Sequence, residues 1–478
     1  MKQHWLLFVS VFAAALLLHA PRLNRPFAPD IASAAATYQI LFARNWDEAG
    51  FAELRGVPCV GQPSGGVAER APYLHHPVLS YWIAYALRCT FGWHEWVFRL
   101  LPFVGLVIAA LLVTAVGLRV LGAIGAFLAG CCFLLSPGVF RYGDMPNPES
   151  LVLCFLLAGW LLHERIRENP TRARKLVFFA VAFCGMLVDW QVFFLAPTLL
   201  LGEALRPAAQ RRWREALLAL WCCLAALLLT LAHFTWGTGS IEFLGTELAS
   251  TMQRTLGGRG TGFLAFITAQ GRSLVHCMGV GLLLAGALLL GLVLTGRASG
   301  ERSRAAVALA LPALLSVLCF RGPALDHAFW WMPASAFFAL AGGWLLVKLL
   351  HVRALLGALA CALLLGSLAL DSRAGERHLG MPKGWYQDVA ALVDRFAQPG
   401  DVVLTPDPFG PALFYTRTRV YENINTPQQL LLVQQRVRSG RVHMFMLLTT
   451  APAHRELCAW LDAHAHRTPH PGVLHWTL

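Results

Sequence analysis

Three short polar stretches in an otherwise oily chain carry the side chains suited to chemistry. The first holds Asp30, in Phe27-Ala28-Pro29-Asp30-Ile31, a short way past a hydrophobic opening segment. A carboxylate there can cap a helix over Ile31–Phe42, or act as a general base held at a membrane surface. The second is Tyr73-Leu74-His75-His76-Pro77-Val78-Leu79-Ser80-Tyr81-Trp82, which leads into an amphipathic segment ending at Phe91-Gly92. Adjacent histidines point in different directions on most backbones. They make a poor bidentate metal pair, but each can hydrogen-bond a phosphate or a carboxylate, and one of the two reads as structural. The third is Arg141-Tyr142-Gly143-Asp144-Met145-Pro146-Asn147-Pro148-Glu149-Ser150. Two acids and an arginine at a membrane entrance are costly unless paired or used. Pro148 pre-sets a helix start with Asn147 as its expected cap, and Glu149 suits the positive end of that helix whether or not it does chemistry.

The elements that must position these groups are membrane helices. The 478 residues are 57% hydrophobic and only 14% charged, with a mean hydropathy of +0.56, too oily for a water-soluble globule of this length. A spanning helix needs roughly 20 mainly apolar residues. Windows of that kind lie near 98–118, 121–138, 148–164, 213–233, 274–295, 303–320, 328–349 and 353–371. The stretch 174–205 is long enough for two short spans broken at Asp189-Trp190-Gln191. With the segment Trp5–Leu18 the expected total is about eleven spans.

Lys and Arg concentrate in cytoplasmic loops, and counting from a cytoplasmic N-terminus the even-numbered spans return at Arg119, His163–Lys175, Arg206–Arg214, Gly296–Arg304 and Lys348–Arg353. The opposite face then receives the first loop (20–96), Phe140–Ser150, the Asp189 turn, Thr238–Arg272, the Phe320–His327 turn and the C-terminal region. The net charge of +13 is thus largely topological and suits contact with anionic lipid, and it requires no nucleic acid. Met1–Ala20 has some marks of a signal peptide but is read as an uncleaved first helix. Most of the twelve cysteines lie in apolar spans as small buried hydrophobes; Cys59 and Cys89 fall in the first loop, where a disulfide is open to them.

After residue 371 the texture changes. Helical spacing over Trp385–Phe396, a strand at Asp401–Leu404, a helix at Pro427–Val437, a strand at Arg441–Leu448, a helix at Ala453–Ala463 and a strand at Gly472–Leu478 predict a small α/β domain over 372–478, following a membrane domain over 1–371. The tail has no Gly-rich phosphate loop and no metal spacing, so its expected role is structural or acceptor-contacting. Asp407, between two prolines, reads as a turn residue.

A first helix, an acid-bearing loop, His76-Pro77-Val78-Leu79 followed by Tyr81-Trp82, Phe91-Gly92, and Phe98-Arg99-Leu100-Leu101-Pro102 opening the next span together resemble the protein mannosyltransferase and aminoarabinose transferase (ArnT-like) superfamily. The likeness extends past Leu135-Ser136-Pro137 through Asn147-Pro148-Glu149 and to Asp326-His327-Ala328-Phe329-Trp330-Trp331-Met332-Pro333. It implies a GT-C fold, a polytopic α-helical membrane protein with a small C-terminal α/β domain on the non-cytoplasmic side. The implied reaction moves a sugar from a polyprenyl-phosphate donor to a lipid, glycan or protein acceptor on that face, in a cell inner membrane. The residue types leave the sugar and the acceptor open.

By the same resemblance Asp30 matches the acid of the first loop, the base that deprotonates the acceptor. Where relatives often carry Lys-Pro-Pro, His76-Pro77-Val78 passes phosphate contact to His75 or His76 and makes it pH-sensitive. Where many relatives carry an aspartate at the fourth-span entrance, Glu149 or Asp144 must substitute, with Glu149 preferred. The departing polyprenyl phosphate gains charge, and Arg141, Arg254, Arg259, Arg321 and His327 are the cations or donors available to stabilise it. His327 can equally cap the tenth span. Gly257-Gly258-Arg259-Gly260-Thr261-Gly262 is too irregular for a phosphate loop and reads as a mobile cover or a solvated connector. No cofactor is assigned; a divalent metal is left open, without close ligand spacing in its favour. The competing readings are a lipid or glycolipid flippase and a non-catalytic assembly subunit of the same fold; the first lacks the paired broken helices such transporters carry.

Overall fold

The computed structural model describes residues 4–27, 31–60, 71–242, 245, 249, 262–297, 307–377, 385–398, 401–405, 414–416, 419–421, 426–436, 441–447, 454–470 and 473–477. The chain divides into two compact units: Met1–Asn24, Leu74–Ala84 and Arg99–His378 form one, and Arg25–Tyr73, Tyr85–Phe98 and Leu379–Leu478 form the other.

The first unit is helical. Among the described residues five helices are long and apolar enough to cross a membrane: Trp5–Arg22, Glu95–Leu135, Trp213–Thr238, Ala328–Val352 and Ala354–Arg373. The helical run Glu95–Leu135 covers the window 98–118 and most of 121–138, and Gly122 divides it with φ +80° and ψ −178°. That backbone region is closed to residues with a Cβ, so the break is written in the sequence as a glycine. Phe263–Met278 and Val280–Leu294 bend by 110° about Gly279, at φ +73°. Within 174–205, helix Arg172–Val188 stops at Asp189, and a short apolar stretch, Trp190–Ala204, follows. Asp189 both ends the first helix and caps the next, its Oδ1 accepting the Gln191 amide at 2.9 Å.

Helix Glu149–Glu168 has 20 residues, a length of about 30 Å, the thickness of a bilayer's hydrocarbon core. Its C-terminal end carries a buried ion cluster. Glu203 Oε1 meets Arg167 Nε at 2.7 Å and His163 Nε2 at 3.4 Å, Glu203 Oε2 accepts the Arg212 amide at 2.7 Å, and Glu164 Oε1 meets Arg206 Nη2 at 2.9 Å.

The second unit holds all seven described strands. A two-residue ribbon pairs β1 (Cys59–Val60) antiparallel to β2 (Ala71–Pro72). A five-stranded sheet has the order β4-β3-β5-β7-β6, with β3 at Val402–Leu404, β4 at Arg419–Tyr421, β5 at Val442–Leu447, β6 at His466–His470 and β7 at Val473–Thr477. Pairing is parallel through β4, β3 and β5 and antiparallel through β5, β7 and β6. Helices Trp385–Phe396, Pro427–Arg436 and Arg455–His464 accompany it, matching the predicted elements to within a residue or two.

The first-loop helix Ile31–Ala49 contributes Ala36, Ile40 and Ala43 to a core shared with Tyr386, Val393 and Val403. The acid-bearing loop is therefore built into the same unit as the α/β tail. A second core, from Val402, Leu404, Met444, Leu457, Leu461 and Trp476, fills one side of the sheet. Cys59 is buried and Cys89 exposed, and neither is joined in a disulfide, the pairing that the sequence left open. Asp407 lies outside the described residues.

Candidate functional site

Glu149 opens helix Glu149–Glu168, so the helix's unpaired amides and its positive dipole end favour its carboxylate. The side chain is 4% exposed. Its Oε1 accepts from Asn147 Nδ2 at 2.8 Å, whereas Oε2 is buried with no hydrogen-bond partner among the described residues. Asn147 thus holds Glu149 and does not cap the helix. The N-cap is Pro148, which has no side-chain cap bond. An orphaned buried carboxylate oxygen costs on the order of 1–3 kcal/mol, a cost that persists in native proteins where function requires the group.

Asp144, the other acid of this stretch, is in the opposite condition. Its Oδ1 lies 3.2 Å from Arg22 Nη2 and its Oδ2 lies 3.8 Å from Arg99 Nη1. Arg22 also donates to the Phe140 carbonyl and sits over the Phe140 ring, 4.8 Å from its centroid. The His19 ring lies tilted beside the same ring, with centroids 5.5 Å apart. Asp144 faces two buried guanidinium groups, although its Oδ2 too has no hydrogen-bond partner among the described residues; what separates the two acids is that Asp144 is ion-paired by arginines and Glu149 has no ion pair among the described residues.

A second acid, Asp189, lies within electrostatic range of Glu149. Its Oδ2 accepts from His76 Nδ1 at 2.7 Å, and the adjacent Trp190 donates from Nε1 to the His75 carbonyl at 2.8 Å. The two histidines therefore differ in role, as their adjacency required: His75 is held by its backbone, while the His76 ring is fixed by a carboxylate. Asp189 figured in the sequence only as a span break. The signal for it was present, an acid alone inside an apolar run.

Arg141 Nη1 lies 2.6 Å from His276 Nε2, and its Nη2 donates to the Asp371 carbonyl at 3.0 Å, so its fork ties three helices together. Tyr142 also meets His276 Nε2, at 3.2 Å. Phe329 packs against Tyr142 at 5.8 Å and stacks on His327 at 4.9 Å, which joins His327 to Arg141 through rings. His327 precedes the short helical segment Ala328–Ala334 without a side-chain cap bond, so the capping role expected for it is not taken. Arg321 lies over the Phe266 ring, 4.8 Å from its centroid. Asp30, Arg254 and Arg259, with most of the Gly-rich stretch, lie outside the described residues.

Among the described residues no three or more His, Cys, Asp or Glu side chains are grouped to hold a metal ion. Glu149, Asp189 and His76 come nearest in chemical type. Both Asp189 oxygens already accept hydrogen bonds, however, and the three do not make a ligand set.

Outside the second unit's sheet, Asp47 pairs with Arg88 at 2.5 Å and accepts from the Tyr85 hydroxyl at 3.2 Å, yet desolvation outweighs both and pushes its carboxyl above the usual range.

Residues 75–236 match the family model described as dolichyl-phosphate-mannose-protein mannosyltransferase. Curated proteins give no significant sequence match. Among solved structures, ArnT from Cupriavidus metallidurans bound to undecaprenyl phosphate is similar at TM-score 0.64 and 12% identity, covering 99% of this chain and 97% of that one. The same protein in its apo state is similar at TM-score 0.61 and 13% identity, covering 100% and 98%. The archaeal oligosaccharyltransferase AglB from Archaeoglobus fulgidus, in complex with an inhibitory peptide and a dolichol-phosphate, is similar at TM-score 0.60 and 12% identity, covering 99% of this chain and 74% of that one. The resemblance read from the sequence is borne out: this chain has the fold of the ArnT-like GT-C superfamily of membrane glycosyltransferases.

Proposed function

We propose that this chain, with the fold of the ArnT-like membrane glycosyltransferases, moves a sugar from a polyprenyl-phosphate donor to an acceptor at the periplasmic face of a cell inner membrane. The observation that carries this reading is the buried Glu149 carboxylate, with one oxygen unspent, within electrostatic range of the Asp189 that holds His76. A solved relative in this fold is bound to undecaprenyl phosphate and another to a dolichol-phosphate, which supports a lipid-phosphate donor here.

In this reading the lipid tail dissolves among the helices and the phosphosugar sits at their distal ends. Asp30 takes the proton of the acceptor nucleophile. The acceptor oxygen or nitrogen bonds to the anomeric carbon as the bond from that carbon to phosphate breaks, and the phosphate leaves with the electron pair. Glu149 presents its unspent oxygen to the hydroxyl groups of the transferred sugar. His76 answers the charge that develops on the phosphate; a preorganised donor of this kind contributes roughly 3–4 kcal/mol to such a barrier. Arg141, Arg259, Arg321 and His327 are further donor-binding residues.

About eleven spans, a cytoplasmic N-terminus and a periplasmic tail complete the topology. The ion cluster of Arg167 and Arg206 supports this orientation, since it lies at the opposite end of helix Glu149–Glu168 from Glu149 and the Arg-rich end belongs in the cytoplasm.

The test is transfer of radiolabelled sugar from a panel of polyprenyl-phosphate donors into membrane extracts, with native protein, Asp30→Ala at matched expression, and empty membranes. Transfer above empty membranes that disappears with Asp30 supports the assignment. Equal transfer by the native protein and Asp30→Ala, or none above background, overturns it.

A further inference from the structure

We infer that Asp189 is the positioning residue of the donor-phosphate contact, holding His76 so that the imidazole, as a cation in the complex, takes the place of a lysine. This rests on the reading of a polyprenyl-phosphate donor given above. A carboxylate only accepts, so at 2.7 Å from Asp189 Oδ2 the His76 Nδ1 must carry the proton. With Nδ1 committed, any bond from His76 to a substrate runs through Nε2. A ring that bridges Asp189 on one side and a phosphate oxygen on the other needs a proton on both nitrogens, which is the imidazolium. The two anions together select that form.

The geometry is built to hold this arrangement. Asp189 is 1% exposed and cannot swing toward water. Its second oxygen is fixed by the Gln191 amide at 2.9 Å, which leaves Oδ2 for His76. Trp190 anchors the neighbouring His75 carbonyl at 2.8 Å, so the turn after helix Arg172–Val188 grips the His75-His76 segment by both side chain and backbone. Glu149 is a second acid within electrostatic range of Asp189. An acid placed in an apolar run solely to end a helix could be replaced by any capping residue. One that also holds a histidine ring cannot.

Asn at position 189 inverts the arrangement. Its amide oxygen still accepts the Gln191 N–H, which turns the NH₂ toward His76 and forces Nδ1 to accept. The ring is then neutral with its proton on Nε2, able to donate to phosphate but without the charge.

The experiment measures affinity of the purified full-length protein for undecaprenyl phosphate in native form, Asp189→Asn, His76→Gln and the double variant. Asp189→Asn should weaken binding about tenfold, the increment of a charge-assisted over a neutral bond. Once His76 is Gln, Asp189→Asn should cause no further loss. Asp189→Ser keeps an acceptor for the Gln191 amide without the carboxylate and substitutes if Asn is not tolerated. Losses that multiply in the double variant, or an Asp189→Asn protein that binds as the native one does, overturn the positioning role alone. Native protein that does not bind undecaprenyl phosphate overturns the donor reading and this inference with it.

Discussion

Arg22 and Asp144 form a buried ion pair, 3.2 Å apart, with side chains 10% and 2% exposed. Arg99 closes on the same carboxylate from the other oxygen at 3.8 Å. The pair joins the end of the first helix to the segment just before Glu149, so its work is to fix the floor on which Glu149 stands. Removing one partner strands two buried guanidinium groups. Asp144→Ala is expected to lower stability by about 3–5 kcal/mol. Thermal unfolding of the purified protein in detergent should show a large drop in midpoint, and an unchanged midpoint would remove Asp144 from this role.

The ion cluster at the far end of the same helix makes a parallel prediction without any link to chemistry. Glu203 receives Arg167, His163 and the Arg212 amide while 1% exposed. Glu203→Ala should likewise cost about 3–5 kcal/mol. Sugar transfer per folded molecule, measured on detergent-purified protein after removal of aggregates, should stay close to native.

Gly122 tests the backbone rather than a side chain. A Cβ there would meet nothing within 4 Å, so substitution carries no clash and only the cost of φ +80°. Gly122→Ala should destabilise by about 1–3 kcal/mol. Chemical denaturation at constant detergent checks this, and no change would mean that the break between the two helical halves is not needed.

The sheet of the second unit should respond to acid through Asp401. Burial by itself would push this carboxyl up, but the Gln398 and Arg441 amides at 2.8 and 2.7 Å and His443 at 3.1 Å outweigh it and hold the group below the usual carboxylate range. A depressed folded value stabilises the ionised form. The stabilisation is therefore present above the unfolded value of roughly 4 and is lost as pH falls through the folded one. His443 passes the arrangement on: its Nδ1 accepts from His475 Nε2 at 3.0 Å, which ties β3, β5 and β7. Hydrogen exchange of amides in these strands should accelerate below pH 4 in the native chain, and Asp401→Asn should flatten that acid limb.

Much of the fold is legible in the sequence because it depends on local pattern. The run Trp385–Phe396 has helical spacing and is a helix over the same residues. Edge strands are different. β4 is three residues long, and β6 reads His466-Arg467-Thr468-Pro469-His470. Lying at the two edges of the sheet, they need neither apolar alternation nor a full set of amides, so nothing in composition announces them.

The site is legible by residue type but not by partner. Asp144 and Glu149 look alike in sequence, and what separates them is the approach of Arg22 and Arg99 from distant segments. Likewise His75 and His76 are equivalent until Asp189 and Trp190 take one ring and one carbonyl. Long-range pairing made these distinctions, and no local pattern contains it.

The most direct test of the account is sugar transfer by Glu149→Gln from a polyprenyl-phosphate donor, with folding confirmed by its unfolding midpoint. The amide keeps an oxygen for the Asn147 bond at 2.8 Å, so the protein should fold as the native chain does. The account predicts transfer reduced by about a hundredfold or more, the scale of losing one well-placed electrostatic group. Native transfer by folded Glu149→Gln would contradict it and return the unspent oxygen to the status of a helix-end ornament.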